Sequence, residues 1–457
     1  MTLASDAEKI LRAGISSVDP ARAVKKNLRR QGSAIRVGTR SLHVGPGGTV
    51  RLVALGKAAG AMLDAAARAV GRSSEALAVT PWGYPGSREG LPTLFGEHPV
   101  PGAGSFRAGR KLLSFVGGAD PEDLLLFLIS GGGSAVAEVP GEGLTRQDLS
   151  RTTESLLGSG APIEVMNAIR RHLSRVKGGQ LAVAARPARF ATLALSDVVG
   201  DAPENIASGP TVPDPSTFRD AVGFARRYGL ASQLPSRVAR HLAEGVRGRL
   251  SETPKPGDPR FQGSPFVLVG SNRLALRAAT HAARALGYRT EMVERPVVGE
   301  TRPAAVRFAR RLLASRPKLP RALVAGGETT VFLGPRPGKG GRNQEFALSA
   351  ARTVAGHAAV VLSAGTDGVD GPTDAAGGWV DGTTWSRSST LGVDLPRALA
   401  RHAAYAALDR LGTLFKTGPT GTNVMDLHVG LVRPSVNRST AGNTKRGAAP
   451  SSRRRRS

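Results

Sequence analysis

The sequence predicts an α/β protein with two doubly wound α/β domains, mostly parallel sheets and an active site in the interdomain cleft. Short apolar runs of strand length alternate with helical patterns along most of the chain, as in parallel sheets covered by helices on both faces. Several runs lead directly into glycine-rich segments, which is typical of strands that turn into helices. The 457 residues exceed what one core usually supports, so we expect more than one domain.

The clearest strands are two apolar runs in the first half of the chain. Residues 50–55 lead into Gly56-Lys57-Ala58-Ala59-Gly60 and an alanine-rich helix that reaches Val70, and residues 124–129 lead into the loop from Ser130 to Ser134. Further strands are predicted at residues 75–80, 191–195, 266–269, 290–293, 321–325 and 359–362. Helical patterns cover residues 5–31, 106–116, 144–159, 163–173, 221–247, 274–286, 303–315 and 345–354.

Composition divides the chain further. Residues 251–265 contain four prolines and two glycines, which indicates a linker or hinge. We therefore predict an N-terminal α/β domain over residues 1–255, a connecting α/β segment over 256–320, a C-terminal domain over 321–432 and a disordered basic tail over 433–457.

The formal net charge is +28, from 63 Lys and Arg against 35 Asp and Glu. A charge of this size favours polyanions through counterion release, and the tail after residue 437 contributes seven positive residues and no acid. Aromatic residues make up only 4% of the chain, and no nucleic-acid-binding motif is present. We expect no specific nucleic-acid partner, because an enzyme with anionic ligands benefits from the same positive field.

The chain has no cysteine, which excludes disulfides, thiolate metal sites and a cysteine nucleophile. No apolar run reaches the roughly 18–20 residues of a membrane span, and the N-terminus lacks a signal-peptide pattern. We expect a cytoplasmic protein without a membrane partner. Its scattered histidines show no paired metal-ligand spacing and favour structural roles.

Unusual polar clusters follow several predicted strands, where open parallel sheets bind ligands. The loop from Ser130 to Ser134 exposes backbone N–H groups and can approach an anion closely, although it is not a Walker A loop. Lys57, at a strand-to-helix turn, could neutralise a transferring phosphoryl group. Each of these features alone is also compatible with an ordinary turn or a solvated lysine.

Charged residues recur in the second half. Gly326-Gly327-Glu328-Thr329-Thr330 follows a strand, and Arg342 begins a helix, where a cation is unfavourable unless an anion lies nearby. Asp197, Asp367 and Asp370 lie in glycine-rich loops. Carboxylates in such loops hold Mg²⁺ or accept the proton of a substrate hydroxyl, although Asp-Gly pairs are also common in turns.

Taken in order, these segments resemble the glycerate 2-kinase family, whose C-terminal part is the MOFRL domain and whose members are often labelled hydroxypyruvate reductase. The resemblance covers roughly residues 5–432. The matching segments are Gly56-Lys57-Ala58-Ala59, His98-Pro99-Val100-Pro101, Ile129-Ser130-Gly131-Gly132-Gly133-Ser134, Arg171-His172-Leu173-Ser174, Lys177-Gly178-Gly179, Leu195-Ser196-Asp197-Val198, Ile206-Ala207-Ser208-Gly209-Pro210-Thr211, Gly270-Ser271-Asn272, Gly326-Gly327-Glu328-Thr329-Thr330, Gly341-Arg342-Asn343-Gln344-Glu345, Gly365-Thr366-Asp367-Gly368 and Thr420-Gly421-Thr422-Asn423.

The resemblance implies transfer of the ATP γ-phosphoryl group to the 2-hydroxyl of D-glycerate, with Mg²⁺, to give 2-phospho-D-glycerate. It makes residues 1–255 a glycerate-kinase-type domain and residues 321–432 a MOFRL domain. The implied catalytic residues are Lys57, Arg342 and Asp197. Residues expected to contact ATP are Ser130, Gly131, Gly132, Gly133, Ser134 and Asn272. Glu328, Asn343 and Asn423 are expected to contact the substrate. Asp197 and Asp367 are the expected metal ligands.

Some features depart from the family pattern. Met425 stands where we expect a polar residue, and the arginine-rich tail lies beyond the resemblance. Two alternatives remain. One is a hydroxypyruvate reductase, although no Gly-x-Gly-x-x-Gly fingerprint follows a strand, and the other is a polyanion-binding protein on a degenerate kinase scaffold. The sequence does not fix the oligomeric state, and a homodimer is compatible with it.

Overall fold

A computed structural model describes residues 2–71, 74–314 and 319–434. Residues 435–457, nearly all of the predicted basic tail, lie outside the described residues. The chain opens with two helices and a small antiparallel meander, which are α1 (Leu3–Ser17), α2 (Pro20–Asn27), β1 (Leu28–Gln31), β2 (Ala34–Val37) and β3 (Arg40–His43). The single helical pattern at residues 5–31 is thus divided, because Asp19 caps a new helix that begins at Pro20.

The first large sheet has six strands, all parallel. In spatial order they are β6 (Thr93–Gly96), β5 (Glu75–Pro81), β4 (Val50–Leu55), β7 (Leu124–Ile129), β8 (Arg189–Leu195) and β9 (Phe266–Gly270). The two central strands are buried almost throughout, which explains why they read as unbroken apolar runs.

Helices cover both faces of this sheet. One face packs on α2 and α3 (Ala59–Val70), and the other on α4 (Ala103–Gly117), α5 (Gly133–Val136) and α8 (Gln180–Ala184). Beside it lies a helical cluster with its own small core, made of α6 (Arg146–Gly158), α7 (Ile163–Arg171), α9 (Phe218–Arg227) and α10 (Ser236–Val246). The prediction of a doubly wound parallel domain is confirmed here.

The second large sheet has seven strands of mixed direction. In spatial order they are β10 (Arg289–Met292), β12 (Arg321–Thr330), β16 (Asp426–Val432), β13 (Ala359–Gly365), β14 (Gly377–Asp381) and β15 (Leu414–Phe415), with β11 (Val297–Glu300) beside the end of β12. This sheet is not mostly parallel as the sequence predicted, because β16 enters antiparallel between β12 and β13. The α/β class itself is confirmed.

Helices also cover both faces of the second sheet. One face packs on α1 and α11 (Asn272–Ala285). The other packs on α12 (Thr301–Leu313), α13 (Arg342–Val354), α14 (Thr384–Thr390), α15 (Leu395–Ala400) and α16 (Ala404–Arg410). The N-terminal helix α1 therefore belongs to the second core, whereas the predicted division had placed it with the first. Among the described residues, every helix is too short or too polar to span a bilayer.

Candidate active site

Two loops at the carboxyl ends of the central strands of the first sheet are fastened to each other. The strand β4 leads into Gly56 and Lys57, and β7 leads into Ser130. A Cβ on Gly56, which has φ +114°, would lie 2.3 Å from the Ser130 carbonyl oxygen, so this position requires glycine. The Lys57 backbone N–H donates to the carbonyl of Gly131 at 2.9 Å. The base of the lysine is therefore fixed against the glycine loop.

Asp197, after β8, packs directly on this glycine loop. A Cβ on Gly131 would lie 1.8 Å from Asp197 Oδ2, and one on Gly132 would lie 3.0 Å from Lys57 Cγ. The absence of side chains thus lets the carboxylate and the lysine reach the same piece of backbone. Burial raises the pKa of Asp197, and the charge of Lys57 opposes that rise. The two predicted catalytic groups of this half are electrostatically coupled.

His98 lies at the mouth of this region, although the sequence favoured a structural role for it. Its Cδ2 lies 3.4 Å from the position of a Cβ on Gly132. Desolvation and the charges of Lys57 and Arg170 lower the pKa of His98 to about 4. The imidazole is therefore neutral at pH 7.

The second sheet also places charged residues at the carboxyl ends of its strands. Asp426 is the first residue of β16 and pairs with Gly327 of β12 and Gly365 of β13. Because β16 is antiparallel to both neighbours, its beginning lies at their carboxyl ends. Asp426 is therefore placed beside Glu328 and next to the loop that carries Asp367.

Arg342, the first residue of α13, is held by two carboxylates. Its Nε donates to Asp426 Oδ2 at 2.7 Å and its Nη2 to Oδ1 at 3.0 Å, while Nη1 lies 2.9 Å from Glu328 Oε1. Asp426 is fully buried, and the other two side chains are 35% and 43% exposed. Burial opposes the charge of Arg342, but the carboxylates of Asp426, Glu328 and Asp370 together outweigh it and raise the pKa of the guanidinium. The anion expected beside Arg342 is thus present in the chain itself.

Asp370 stabilises the start of the same helix. Its carboxylate accepts backbone N–H groups of Asn343 at 3.0 Å and Gln344 at 2.8 Å, so it satisfies two unpaired donors of the first turn. Burial raises the pKa of Asp370 to about 6. The Asn343 side chain donates to Asp426 Oδ1 at 2.9 Å. Asn343, a predicted substrate contact, is therefore buried behind Arg342.

The charged groups of the two halves act on one another. Burial raises the pKa of Glu328, and the charges of Asp426, Asp197 and Asp367 raise it further against the effect of Arg342. Burial also raises the pKa of Asp367, while Lys57 lowers it. Side chains of the first sheet are thus close enough to carboxylates of the second to influence their pKa values.

Three predicted ligand contacts also make contacts within the protein. The Asn272 amide donates to the backbone carbonyls of Val424 at 2.8 Å and Asp426 at 2.9 Å. Asn423 Oδ1 accepts the backbone N–H of Met425 at 3.0 Å. The Ser134 and Ser208 hydroxyls lie 2.6 Å apart. Their roles toward a ligand remain predictions.

The sequence reading missed Asp426 and Arg170. Asp426 follows Met425 directly, and Met425 has φ +69°, a left-handed conformation that is unusual without glycine. The departure noted at Met425 therefore marked the turn that places the next residue. No local signal distinguishes Arg170 from Arg171 beside it, because both read as basic residues at a helix end.

A metal ion has candidate ligands in the cleft. No group of three or more His, Cys, Asp or Glu residues in the described ranges is arranged to hold a metal. Mg²⁺, however, needs only one or two carboxylates together with phosphate oxygens and water. Burial is the main cause of the raised pKa of Glu328, and the charges of Asp426, Asp197 and Asp367 add to it. A cluster of carboxylates that act on one another fits a site that takes up a cation.

This fold and site define an α/β enzyme with a charged interdomain cleft. Residues 6–243 match the family described as "Domain of unknown function (DUF4147)", and residues 321–426 match the MOFRL family. The "Glycerate 2-kinase" of Pyrococcus horikoshii is 38% identical over 93% of this chain and 96% of its own, and the "D-glycerate 2-kinase" of Thermotoga maritima is 39% identical over 93% and 97%. The solved structure of a glycerate kinase from Thermotoga maritima is 38% identical, with a TM-score of 0.81 over 94% of this chain and 99% of that chain.

The chain belongs to the family of MOFRL-domain glycerate 2-kinases, which confirms the resemblance stated from the sequence.

Proposed function

We propose that this protein transfers the γ-phosphoryl group of ATP to the 2-hydroxyl of D-glycerate, giving 2-phospho-D-glycerate. The observation that carries the proposal is the convergence of Asp197 and Lys57 on one glycine loop, from which their charges act on Glu328 and Asp367 of the second sheet. A carboxylate base and a cation beside a glycine loop are what phosphoryl transfer to an alcohol requires.

In this mechanism Asp197 accepts the proton of the 2-hydroxyl while that oxygen attacks the γ-phosphorus. The bond from the γ-phosphorus to the β–γ bridging oxygen breaks, and ADP leaves. Its raised pKa suits this role, because a base works best when its pKa approaches the working pH. Lys57 stabilises the negative charge on the transferring group, as a fixed cation in a partly desolvated cleft can. Arg342 holds Glu328 and Asp426 in place and contributes positive charge to the same region.

The glycine loop is the proposed site of the ATP phosphates. Its backbone can approach an anion closely because Gly131 and Gly132 have no side chains. Glycine is required at both positions, since a Cβ there would meet Asp197 or Lys57. Asp197 and Asp367 would hold Mg²⁺, which supplies charge neutralisation to the phosphate oxygens when it is bound. Asp197 thus has two candidate roles, and the raised pKa favours that of base.

The remaining assignments follow from the same family. We propose that Glu328 and Asn423 contact the substrate, that Asn343 acts through Asp426, and that Asn272 adjoins the nucleotide. The protein is proposed to work in the cytoplasm on small molecules, without a specific nucleic-acid or membrane partner, and a homodimer is compatible with this function.

The test is a product analysis. Purified protein is incubated with D-glycerate, ATP and Mg²⁺, and 2- and 3-phosphoglycerate are separated by chromatography or ³¹P NMR. We expect 2-phosphoglycerate. Formation of 3-phosphoglycerate alone, or oxidation of NADH with hydroxypyruvate in place of phosphoryl transfer, contradicts the proposal.

A further inference from the structure

Arg170 is a cation at the glycine loop that the proposed mechanism does not use. It lies in the last turn of α7, and its Nη2 donates to the carbonyl of Ser134 at 3.2 Å. Burial lowers the pKa of this guanidinium, which the charge of Glu138 only partly offsets. Arg170 is only partly exposed, and placing a partly desolvated cation here is costly unless an anion compensates it.

The neighbouring cations already have carboxylate partners. Arg171 Nε lies 2.8 Å from Asp214, and Lys177 pairs with Glu138. Within the described part of the chain, no acid lies at ion-pair distance from Arg170. The helix C-terminus favours a cation at this position, but it does not account for a guanidinium held against the glycine loop.

The position of Arg170 is fixed by its neighbours on α7. Asn167, one turn earlier, accepts the Ser208 hydroxyl at 2.8 Å, and Arg171 donates to the carbonyl of Glu204 at 3.0 Å. Both side chains are buried, so the last turn of the helix is anchored in the protein interior. Arg170 is thereby presented to the loop as part of a preformed site.

The substrate carboxylate needs a cation, and Arg342 is not free to supply it. Both Asp426 and Glu328 already engage Arg342. In a 2-hydroxy acid the carboxylate is bonded to the carbon that bears the reacting hydroxyl, so its cation must lie near the base. Asp197 packs on Gly131 at one end of the loop, and Arg170 holds Ser134 at the other.

We propose that Arg170 binds the carboxylate of the acceptor and thereby determines the specificity of the site for 2-hydroxy acids. The proposal rests on the proposed kinase function. The planar guanidinium suits a carboxylate because it can donate two parallel hydrogen bonds. The charges of Lys57 and Arg170 both act on His98, and as a neutral imidazole it can add a hydrogen bond there. The phosphates of the nucleotide are the other anions that such a pocket could take.

The experiment compares Arg170→Gln, Arg170→Lys and the control Arg175→Ala with the wild type. Arg175 follows α7 closely in the chain and is exposed. Glutamine can keep the hydrogen bond to Ser134 without the charge, which guards against misfolding, and circular dichroism checks the fold. D-glycerate binding is measured by calorimetry, KM is measured separately for D-glycerate and ATP, and glycerol serves as an acceptor without a carboxylate.

For Arg170→Gln we expect binding of D-glycerate to weaken roughly tenfold to a hundredfold, the scale of a lost charged hydrogen bond, with an unchanged KM for ATP. The preference for D-glycerate over glycerol falls by the same factor. Arg170→Lys retains only part of the D-glycerate binding and of this preference, and Arg175→Ala matches the wild type. A raised KM for ATP with normal D-glycerate binding assigns the pocket to the nucleotide and overturns the proposal, as does unchanged binding of both. If the wild type binds D-glycerate through Arg170 but does not phosphorylate it, the kinase proposal fails and the carboxylate site stands.

Discussion

Arg342 occupies both carboxylate oxygens of Asp426, at 2.7 Å from Nε and 3.0 Å from Nη2. The carboxylate is fully buried at the start of β16, so its charge depends on this arginine and on the amide of Asn343 for compensation. The pair joins the first turn of α13 to the middle of the second sheet. Its geometry therefore fixes one wall of the cleft.

Asp426→Asn should damage both stability and activity. The substitution removes the charge that Arg342 pairs with and places an amide N–H against an N–H donor of Arg342. We expect the free energy of unfolding to fall by about 2 kcal/mol. The loss is smaller than for a fully buried ion pair because Arg342 is partly exposed. We expect kcat to fall roughly a hundredfold, since the cation shifts. Urea unfolding and steady-state kinetics measure the two effects. Glu328→Gln is the matched control for stability, because this more exposed partner should contribute under about 1 kcal/mol. Equal destabilisation by both variants contradicts the assignment.

Lys57→Ala should lower kcat roughly a hundredfold or more in a folded protein, the effect of losing a fixed electrostatic stabiliser. The expected change in KM for D-glycerate is smaller, since the ammonium is assigned to the transferring group. Steady-state kinetics with either substrate varied provides the measurement, and Lys25→Ala on the exposed side of α2 is the control. Turnover close to that of the wild type rules out the role given to Lys57.

The acid limb of the pH profile should move when Lys57 is neutralised. The charge of Lys57 lowers the pKa of Asp197, which burial raises, so removing that charge raises the pKa further. Because the base must be ionised, activity is lost as the pH falls through this value, and the limb in Lys57→Met is expected at higher pH than in the wild type. Plots of kcat/KM against pH test this shift. An acid limb that stays in place, or moves to lower pH, would mean that Asp197 is not the group whose ionisation limits activity.

Ser208 combines strained backbone with a buried hydroxyl. It has φ +61°, accepts the Ser134 hydroxyl at 2.6 Å and donates to Asn167 Oδ1 at 2.8 Å. Ser208→Ala should destabilise the protein by about 1–3 kcal/mol, because Asn167 loses its donor. Ser208→Gly should be about 0.5–1 kcal/mol more stable than the alanine variant, since glycine adopts this φ without strain. Denaturant unfolding compares the two, and the reverse order would show that backbone strain is negligible here.

His428 should make folding sensitive to mild acid. Its Nδ1 donates to the Ser363 hydroxyl at 2.8 Å, because that hydroxyl donates to Asn343, and its ring stacks on Phe346 at 4.0 Å. Burial lowers the pKa of His428 to about 4 from near 6.5. As the pH falls, the histidine is therefore protonated in the unfolded chain before it is protonated in the folded protein. The contribution to the free energy of unfolding is complete above pH 6.5, and about 3 kcal/mol of it is lost as the pH falls toward 4. Unfolding free energies between these pH values should vary less in His428→Asn, and an unchanged slope contradicts this account.

The sequence predicted what is encoded locally. Residues 50–55 and 124–129 were identified as strands with their observed bounds, because strands buried on both faces read as unbroken apolar runs. The glycines of both strand-end loops were likewise visible as loop signals. The meander β1–β3 was missed because its strands are short and rich in arginine, and only Leu28, Ile35 and Val37 are buried, too few apolar positions to show the period of a strand.

Pairings between distant residues could not be predicted. Asp426 meets Arg342 across 84 positions, and only the antiparallel insertion of β16 brings them together. The packing of α1 on the second sheet was hidden for the same reason, since an amphipathic pattern shows that a helix has a buried face but not which core buries it.

The placement of α1 has a mechanical consequence. In the described ranges the chain passes between the two cores only twice, from α1 to α2 near Val18 and from β9 to α11 near Ser271. Thr422 secures the first passage by donating its hydroxyl to the Val18 carbonyl at 2.8 Å, and the Asn272 amide secures the second. The two passages lie side by side, because a Cβ on Gly270 would lie 3.7 Å from Val18 Cβ. The covalent joint between the two cores is therefore concentrated at one place, beside the contacts that Thr422 and Asn272 make there.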